Sequence, residues 1–327
     1  MVDFQTMISS NSRLSTVKGP TVALFVGATS GIGLGVLREF TRQTVSPRIY
    51  FVARDPITAA PIADELRLLN PNAKCEIIDR NVSLIKDAKK VAEYVKTKES
   101  SLDLLFMSPG FVSLDGRQDT VEGLDASMTT RYYSRIRIAQ LLLPLLNKSR
   151  SPRVVFILAG GKEGPVDEED LALNKPGNFS MSSASYHSCT MNTLMLERLA
   201  SENPRISFIH AFPGAVDTPL FDRVSSGIKG TLLSYTIVPV ARLFARSVSD
   251  AGHWGLFIST SARYSVDDGM VPLSGGMEKA ERTKGGIFLV NEKGDATSNE
   301  KVLGAFRRRG LDEKVWAHTN EVFASIQ

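Results

Sequence analysis

Seven residues near the start of the chain, Gly27-Ala28-Thr29-Ser30-Gly31-Ile32-Gly33, have the types and the spacing to hold a phosphate. Glycines let a backbone turn tightly and come close to a pyrophosphate. A helix opening there turns free N–H groups and its positive dipole end toward the negative charge. Gly27, Thr29, Ser30, Gly31, Ile32 and Gly33 are the residues expected to make that contact. A glycine triplet alone is a weak signal. This one follows six apolar residues, Thr21–Val26 (TVALFV), and precedes an amphipathic stretch, the strand–turn–helix setting of a dinucleotide site. Arg54 stands at the end of the next apolar run, where the adenosine ribose of a dinucleotide would lie. Its planar charged fork suits a 2′-phosphate, which favours NADP(H) over NAD(H). Asp55 beside it is the residue type that takes a free ribose hydroxyl instead.

Those residues need a scaffold, and the hydrophobic pattern predicts one. Apolar, β-rich runs at Thr21–Val26, Arg48–Ala53, Ala73–Ile78, Leu102–Met107, Arg153–Leu158, Arg205–His210 and Gly286–Val290 read as seven strands. Between them, Gly31–Gln43, Ile57–Leu69, Leu84–Lys98, Val121–Leu146 and Ser185–Glu202 read as helices, with Pro144 expected to end or bend the fourth. Continuous apolar strands mean burial on both faces. Strand–helix alternation at this spacing predicts a Rossmann-type, doubly wound parallel α/β sheet with helices on both sides. Residues 20–327 are expected to form one domain. Residues 1–19, polar and Ser-rich, read as a loosely held arm. Residues 221–246, amphipathic and carrying Pro239, read as a lid or substrate loop.

Gly27–Gly33 and the order of features after it resemble the short-chain dehydrogenase/reductase superfamily over essentially the whole chain. The resemblance implies further cofactor contacts. Asn81-Val82-Ser83 matches the segment after the third strand that meets adenine, with Asn81 where an Asp is usual; its carbonyl can still accept from the adenine amino group. Met107-Ser108-Pro109-Gly110 stands where the family has Asn-Asn-Ala-Gly, and only Gly110 is retained. Pro213-Gly214-Ala215-Val216-Asp217-Thr218 resembles the loop that holds the nicotinamide carboxamide, which implicates Pro213, Gly214, Val216 and Thr218. Relatives commonly pair the helices before and after the fifth strand into a homodimer. Here Met191, Leu194, Met195 and Leu199 would supply the apolar face, with Arg135 and Arg137 on the other helix.

The family's catalytic Asn, Ser, Tyr and Lys are not found in their places. Flanking sequence puts Arg131 at the Asn position and Ala159 or Leu158 at the Ser position. The Tyr and Lys positions fall on Ser185 and Cys189 in one register, and on Tyr186 and Thr190 in the other. Neither register supplies a Lys. A positioned acid or base contributes about 10²- to 10⁴-fold in rate, so the ordinary mechanism would be crippled. The replacements at hand are Arg131, which can stabilise an oxyanion, Tyr132 on the same helix, Lys162 after the fifth strand, and Tyr186 and His187 at the next helix. The pattern TRYYSR, then AGGKEGP, is similar to a divergent fungal branch of the superfamily associated with secondary metabolism. That implies a small, rather apolar organic substrate.

Composition narrows the remaining classes. The chain has 327 residues, a net charge of +4 and 23% charged residues of mixed sign, which does not make a nucleic-acid footprint. Two distant cysteines, Cys75 and Cys189, and four scattered histidines give no metal-ligand spacing. No apolar run reaches the ~18 residues of a membrane span, and no signal-peptide pattern is present. A reducing, cytoplasmic setting is the default expectation. Three functions stay open. The first is an NADP(H)-dependent oxidoreductase acting on a small carbonyl compound or enone. The second is an isomerase or cyclase in which the cofactor is non-catalytic. The third is a silent NADP(H)-binding protein.

Overall fold

The computed structural model describes residues 2–19, 21–111, 116–219 and 245–326. Seven parallel strands form one sheet: β1 (Thr21–Val26), β2 (Pro47–Ala53), β3 (Lys74–Asp79), β4 (Leu104–Met107), β5 (Arg153–Ile157), β6 (Ser207–Ala211) and β7 (Phe288–Val290). Their order across the sheet is β3-β2-β1-β4-β5-β6-β7. The chain reverses direction between β1 and β4, and a crevice opens beyond the strand ends at such a switch point.

The strands alternate their side chains between two cores. Ala23, Phe25, Phe51, Phe106, Val155 and Ile209 pack against α2 (Gly31–Gln43), α3 (Pro56–Leu69) and α8 (Val248–Thr260). Val22, Leu24, Val52, Leu105, Phe156 and Phe208 pack against α4 (Ile85–Lys98), α6 (Ser134–Leu146), α7 (Met181–Glu202), α9 (Glu300–Arg308) and α10 (Leu311–Ser325). This period-2 division is what a strand buried on both faces requires. Helices α2 and α8 cross at Gly35 and Gly252, where a Cβ on Gly35 would lie 2.4 Å from the Val248 carbonyl oxygen.

Several elements differ from the sequence expectation. The N-terminal stretch is not a loose arm. Residues Phe4–Ser12 form α1, followed by a 3₁₀ turn at Arg13–Thr16. Met7 and Leu14 are buried, and Asn11 donates to the His253 carbonyl at 2.8 Å, which ties α1 to α8. The helix expected from Val121 begins at Ala126, because Asp125 caps it and Thr120–Leu124 closes a turn before it. It runs as a short α5 (Ala126–Met128), a π-helical turn (Thr129–Tyr133) and then α6, which continues two residues past Pro144. Helix α7 begins earlier than expected, at Met181, where Ser180 forms a capping box with Ser183. The expected lid lies, up to residue 244, outside the described residues.

The helix faces expected to pair with a second copy are covered by the chain's own C-terminus. Thr319 on α10 shares a 2.5 Å hydrogen bond with the Tyr132 hydroxyl, and His318 Nε2 one of 2.7 Å with that of Tyr133. Arg198 of α7 lies over Trp316, and Arg137 of α6 over Phe323. Met191, Leu194, Met195 and Leu199 are buried in the chain's own core. Truncating the buried Phe323 tests this docking. Phe323→Ala should cost about 3 kcal/mol of stability, read as a drop of several degrees in Tm. An unchanged Tm would mean that α10 does not pack on α6.

Candidate active site

A cavity of about 740 Å³ opens along the C-terminal ends of β1 to β5. One wall is the glycine turn, with Gly27, Thr29, Ser30, Gly31, Ile32 and Gly33 all lining it. Gly27 has φ +79° and Gly31 φ +55°, conformations that suit glycine. Space imposes the same choice. A Cβ on Gly27 would sit 2.4 Å from the Pro109 nitrogen, and one on Gly33 would sit 2.2 Å from the Gly27 carbonyl oxygen. Ser108 locks the turn to the end of β4 by donating to the Gly27 carbonyl at 2.9 Å. The glycine positions of the turn thus present bare backbone toward the cavity. The Ser30 side chain makes no capping bond to the first turn of α2, which leaves its N–H groups to face a phosphate.

Arg54, Asn81 and Val82 line the far end of the same cavity, as expected, together with Arg80. Asp55 is committed elsewhere: its carboxylate caps α3, accepting from the Ile57 N–H at 2.9 Å and the Thr58 N–H at 3.5 Å. Arg54 and Arg80 are both exposed cations at adjoining strand ends. The Asn81 side-chain oxygen accepts from the Ser83 N–H at 3.2 Å and from its hydroxyl at 2.8 Å. An adenine amino group would have to compete with both.

At the other end, Gly110, Pro213 and Thr218 line the cavity, whereas Gly214 and Val216 do not. Gly214 takes φ +71° against Glu292. Val216 is buried and bridges to Arg246. These two residues shape the loop rather than facing the cavity. The loop closes back on the glycine turn, where a Cβ on Gly31 would meet the Thr218 methyl at 3.0 Å.

The floor of the cavity is made of two arginines one helical turn apart. Arg131 lies in the π-helical turn, and Asn192 holds that turn by donating to the Arg131 carbonyl at 2.8 Å. The Arg131 guanidinium donates to the Ser185 hydroxyl at 3.2 Å. Arg135 is 1% exposed and donates to the carbonyls of Ile157 (3.0 Å), Met107 (3.2 Å), Thr130 (3.4 Å) and Pro109. Burial, and then the charge of Arg131, push the Arg135 pKa down to about 9, so it remains a cation at neutral pH. Burial also lowers that of Arg131.

On α7, Ser185 and Cys189 turn toward Arg131 and the end of β5. Ser185 meets Arg131, and the Cys189 thiol donates to the Ala159 carbonyl at 2.9 Å. In the other register of the Tyr and Lys positions, the Thr190 hydroxyl accepts from the Gly164 N–H at 3.0 Å and donates to the Gly164 carbonyl at 2.9 Å. Tyr186 does not line the cavity; it is 44% exposed and its ring packs on Gly164. His187 is also elsewhere. It is buried, accepts from the Asp167 N–H at 2.9 Å, and lies 3.3 Å from the Leu171 carbonyl through Nδ1, so it pins the 167–171 loop. Tyr132 is fully buried against Thr319, on the far side of its helix. Lys162 is exposed and caps the Phe212 ring at 5.2 Å outside the cavity lining. Of the five residues proposed for chemistry, Arg131 is the one that lines the cavity.

Sequence reading missed Arg80, Ser108 and Arg135. The spacing of Arg131 and Arg135, i and i+4, places them on one helix face and was the available signal for the last.

Behind the end of β5, a buried chain of hydrogen bonds fixes the turn that follows it. Thr193 donates to Glu163 at 2.7 Å and lies 2.8 Å from His210 Nδ1, while His210 Nε2 accepts from the Ala159 N–H at 3.3 Å. With Nε2 accepting and the threonine proton on Glu163, Nδ1 is the donor and His210 is a neutral imidazole. Burial, with the charge of Arg135, pushes its pKa down to about 3.

Residues 21–229 match the family described as short chain dehydrogenase. The chain is 43% identical to the NmrA-like family domain-containing oxidoreductase notO of Aspergillus sp. over 327 residues, covering 99% of this chain and 96% of that protein. It is 33% identical to oxidoreductase lepF of Aspergillus flavus over 337 residues, 93% and 91% of the two chains. Among solved structures, it resembles a Pseudomonas aeruginosa RhlG/NADP active-site complex, with TM-score 0.54 and 18% identity over 78% of this chain and 95% of that one. It also resembles a short-chain dehydrogenase from Sphingobium yanoikuyae in complex with NADPH, with TM-score 0.53 and 18% identity over 73% and 83%. At that identity the likeness to solved structures is one of fold.

The neutral His210 sets a pH dependence. Its folded pKa lies below the unfolded value of about 6.5, so the unfolded chain binds the extra proton and stability falls as pH drops through 6.5. The loss should approach about 2 kcal/mol between pH 6.5 and 5, measured by urea unfolding. His210→Gln, which keeps one donor and one acceptor, should remove most of that slope. An unchanged slope would place the acid sensitivity in other groups.

Proposed function

The chain belongs to the short-chain dehydrogenase family, and from that premise we propose that it is an NADP(H)-dependent oxidoreductase acting on a small organic carbonyl compound or enone. The observation that carries the reading is one continuous cavity. It joins a bare glycine turn and two strand-end arginines to a buried cationic floor. The residues fit the nucleotide because Gly27 and Gly33 of the turn leave no room for a Cβ and the Asp55 carboxylate is already engaged as a helix cap. Gly27–Gly33 would hold the pyrophosphate, Arg54 and Arg80 the 2′-phosphate, and Pro213 and Thr218 the carboxamide end. When bound, the reduced nicotinamide supplies a hydride to an electron-poor carbon.

The protein's part is to stabilise the oxygen on which charge develops. Arg131 is the charged donor facing the cavity, and a preorganised cation in a water-poor site contributes more there than in solvent. Its guanidinium remains protonated, so the proton for the new hydroxyl comes from water. The Ser185 hydroxyl holds the Arg131 guanidinium in position to stabilise that oxygen. The fungal relatives named as oxidoreductases support the redox reading.

Calorimetric titration of nucleotide-free protein tests the cofactor part. NADPH should bind in the micromolar range, at least about tenfold tighter than NADH. Replacing both strand-end arginines (Arg54→Ala, Arg80→Ala) should erase that preference. Binding of neither nucleotide would overturn the reading and leave the isomerase or cyclase alternative in its place.

A further inference from the structure

We propose that the substrate of this cavity carries an ionised acid group beside its reacting carbonyl, and that Arg131, with Arg135 behind it, is the receptor for that anion. The inference rests on the proposed catalytic cavity and adds the class of compound it accepts.

The starting observation is an unanswered charge. Arg131 is 8% exposed and Arg135 1% exposed, yet among the described residues neither makes an ion pair. Among the described residues, the other buried arginines fall into two classes, one ion-paired and one, like Arg135, held by carbonyls away from any cavity. Arg307 is clamped by Glu197 and Glu300 at 2.8 and 2.9 Å. Arg153, buried at the opposite end of β5, bonds two carbonyls and lies in the field of Asp267. Near Arg131, the carboxylate whose field reaches it is Asp125, and both of its oxygens are committed, one to the Met128 N–H and the other to the Gln118 N–H, each at 2.8 Å. Two cations are therefore held side by side at the floor of a cavity. A buried charge without a partner is costly. A neutral carbonyl substrate offers Arg131 a hydrogen bond but no counter-charge, whereas an anion offers both on binding.

Donor counting divides the labour between the two. A guanidinium has five N–H donors. Arg135 uses four of its five on the carbonyls of Thr130, Met107, Ile157 and Pro109, so it contributes charge and anchorage. Arg131 makes one described side-chain bond, to Ser185, and lines the cavity, so its remaining donors are available to a ligand there. Two parallel N–H groups match two oxygens of a carboxylate, or one carboxylate oxygen and an adjacent carbonyl oxygen. An oxo acid presents that pair. The nearby walls, Gly110, Phe111, Ala126 and Leu158, are largely apolar and accept the remainder of the molecule.

The test uses full-length protein titrated calorimetrically with 2-oxo-4-phenylbutanoate and with its neutral ethyl ester, both without nucleotide and with saturating NADPH. The acid should bind at least about tenfold tighter than the ester, as a charged hydrogen-bonded contact commands. Arg131→Gln should bring the ratio to within about threefold, and Arg131→Lys should retain part of it. Acid and ester binding equally to the native protein would overturn the proposal. So would no binding of either at millimolar concentration, or an acid preference that survives Arg131→Gln. The nucleotide-free arm decides the anion question by itself. A failure of NADPH to bind overturns the cofactor reading separately.

Discussion

The geometry of the cavity depends on one buried guanidinium. Strands β4 and β5 end at the cleft, and the carbonyls of Met107, Pro109 and Ile157 there point past the last sheet partner into the interior. Each needs a donor, because a buried carbonyl without one costs free energy comparable to a lost hydrogen bond. Arg135 supplies all three and also reaches the Thr130 carbonyl in the π-helical turn. Its planar, fixed array of donors holds two strand ends and a helix in one arrangement, which a flexible lysine could not reproduce. The glycine turn depends on that arrangement. Pro109 packs directly against Gly27, and Ser108 bonds its carbonyl. Arg131 depends on it too, since it projects from the turn that Arg135 anchors.

The charge of the site is arranged in two regimes. Arg54 and Arg80 stand in solvent at one end, where their attraction for a phosphate is screened by salt. Arg131 and Arg135 lie in the interior, where screening is weak and unpaired charge is expensive. The first pair suits recruitment of a flexible, highly charged nucleotide. The second suits a smaller anion, or an oxygen that becomes anionic during reaction. In the proposed reading, positive charge at a fixed position takes over what the missing acid would have done through proton transfer.

The glycine turn, the seven strands and Arg54 were legible in the sequence because their signals are local: a strand, a turn and a helix start within a dozen residues. Asn81, Val82, Gly110, Arg131, Pro213 and Thr218 were also named from the sequence and line the cavity, whereas the other residues named for chemistry do not, for reasons that are also physical. Tyr132 and His187 looked like chemistry because they are reactive types, one beside Arg131 on its helix and the other at the start of the next helix. Their partners, Thr319 and the 167–171 loop, are set by tertiary packing that a local pattern does not encode. The two registers of α7 differ by one residue, about 100° of helix rotation, and the degenerate segment had no Lys to choose between them. Arg135 was read only as part of a helix face for a second copy, because arginines are almost never fully buried. The first nineteen residues read as loose because Asn11 and Met7 are stabilised by a helix some 240 residues later.

The most direct measurement is a crystal structure of the protein grown with NADPH. The expected density places the pyrophosphate against Gly27–Gly33, the 2′-phosphate between Arg54 and Arg80, and the nicotinamide ring facing Arg131. A nucleotide bound outside this cavity, or one whose nicotinamide end lies away from the arginine floor, would contradict the proposed site.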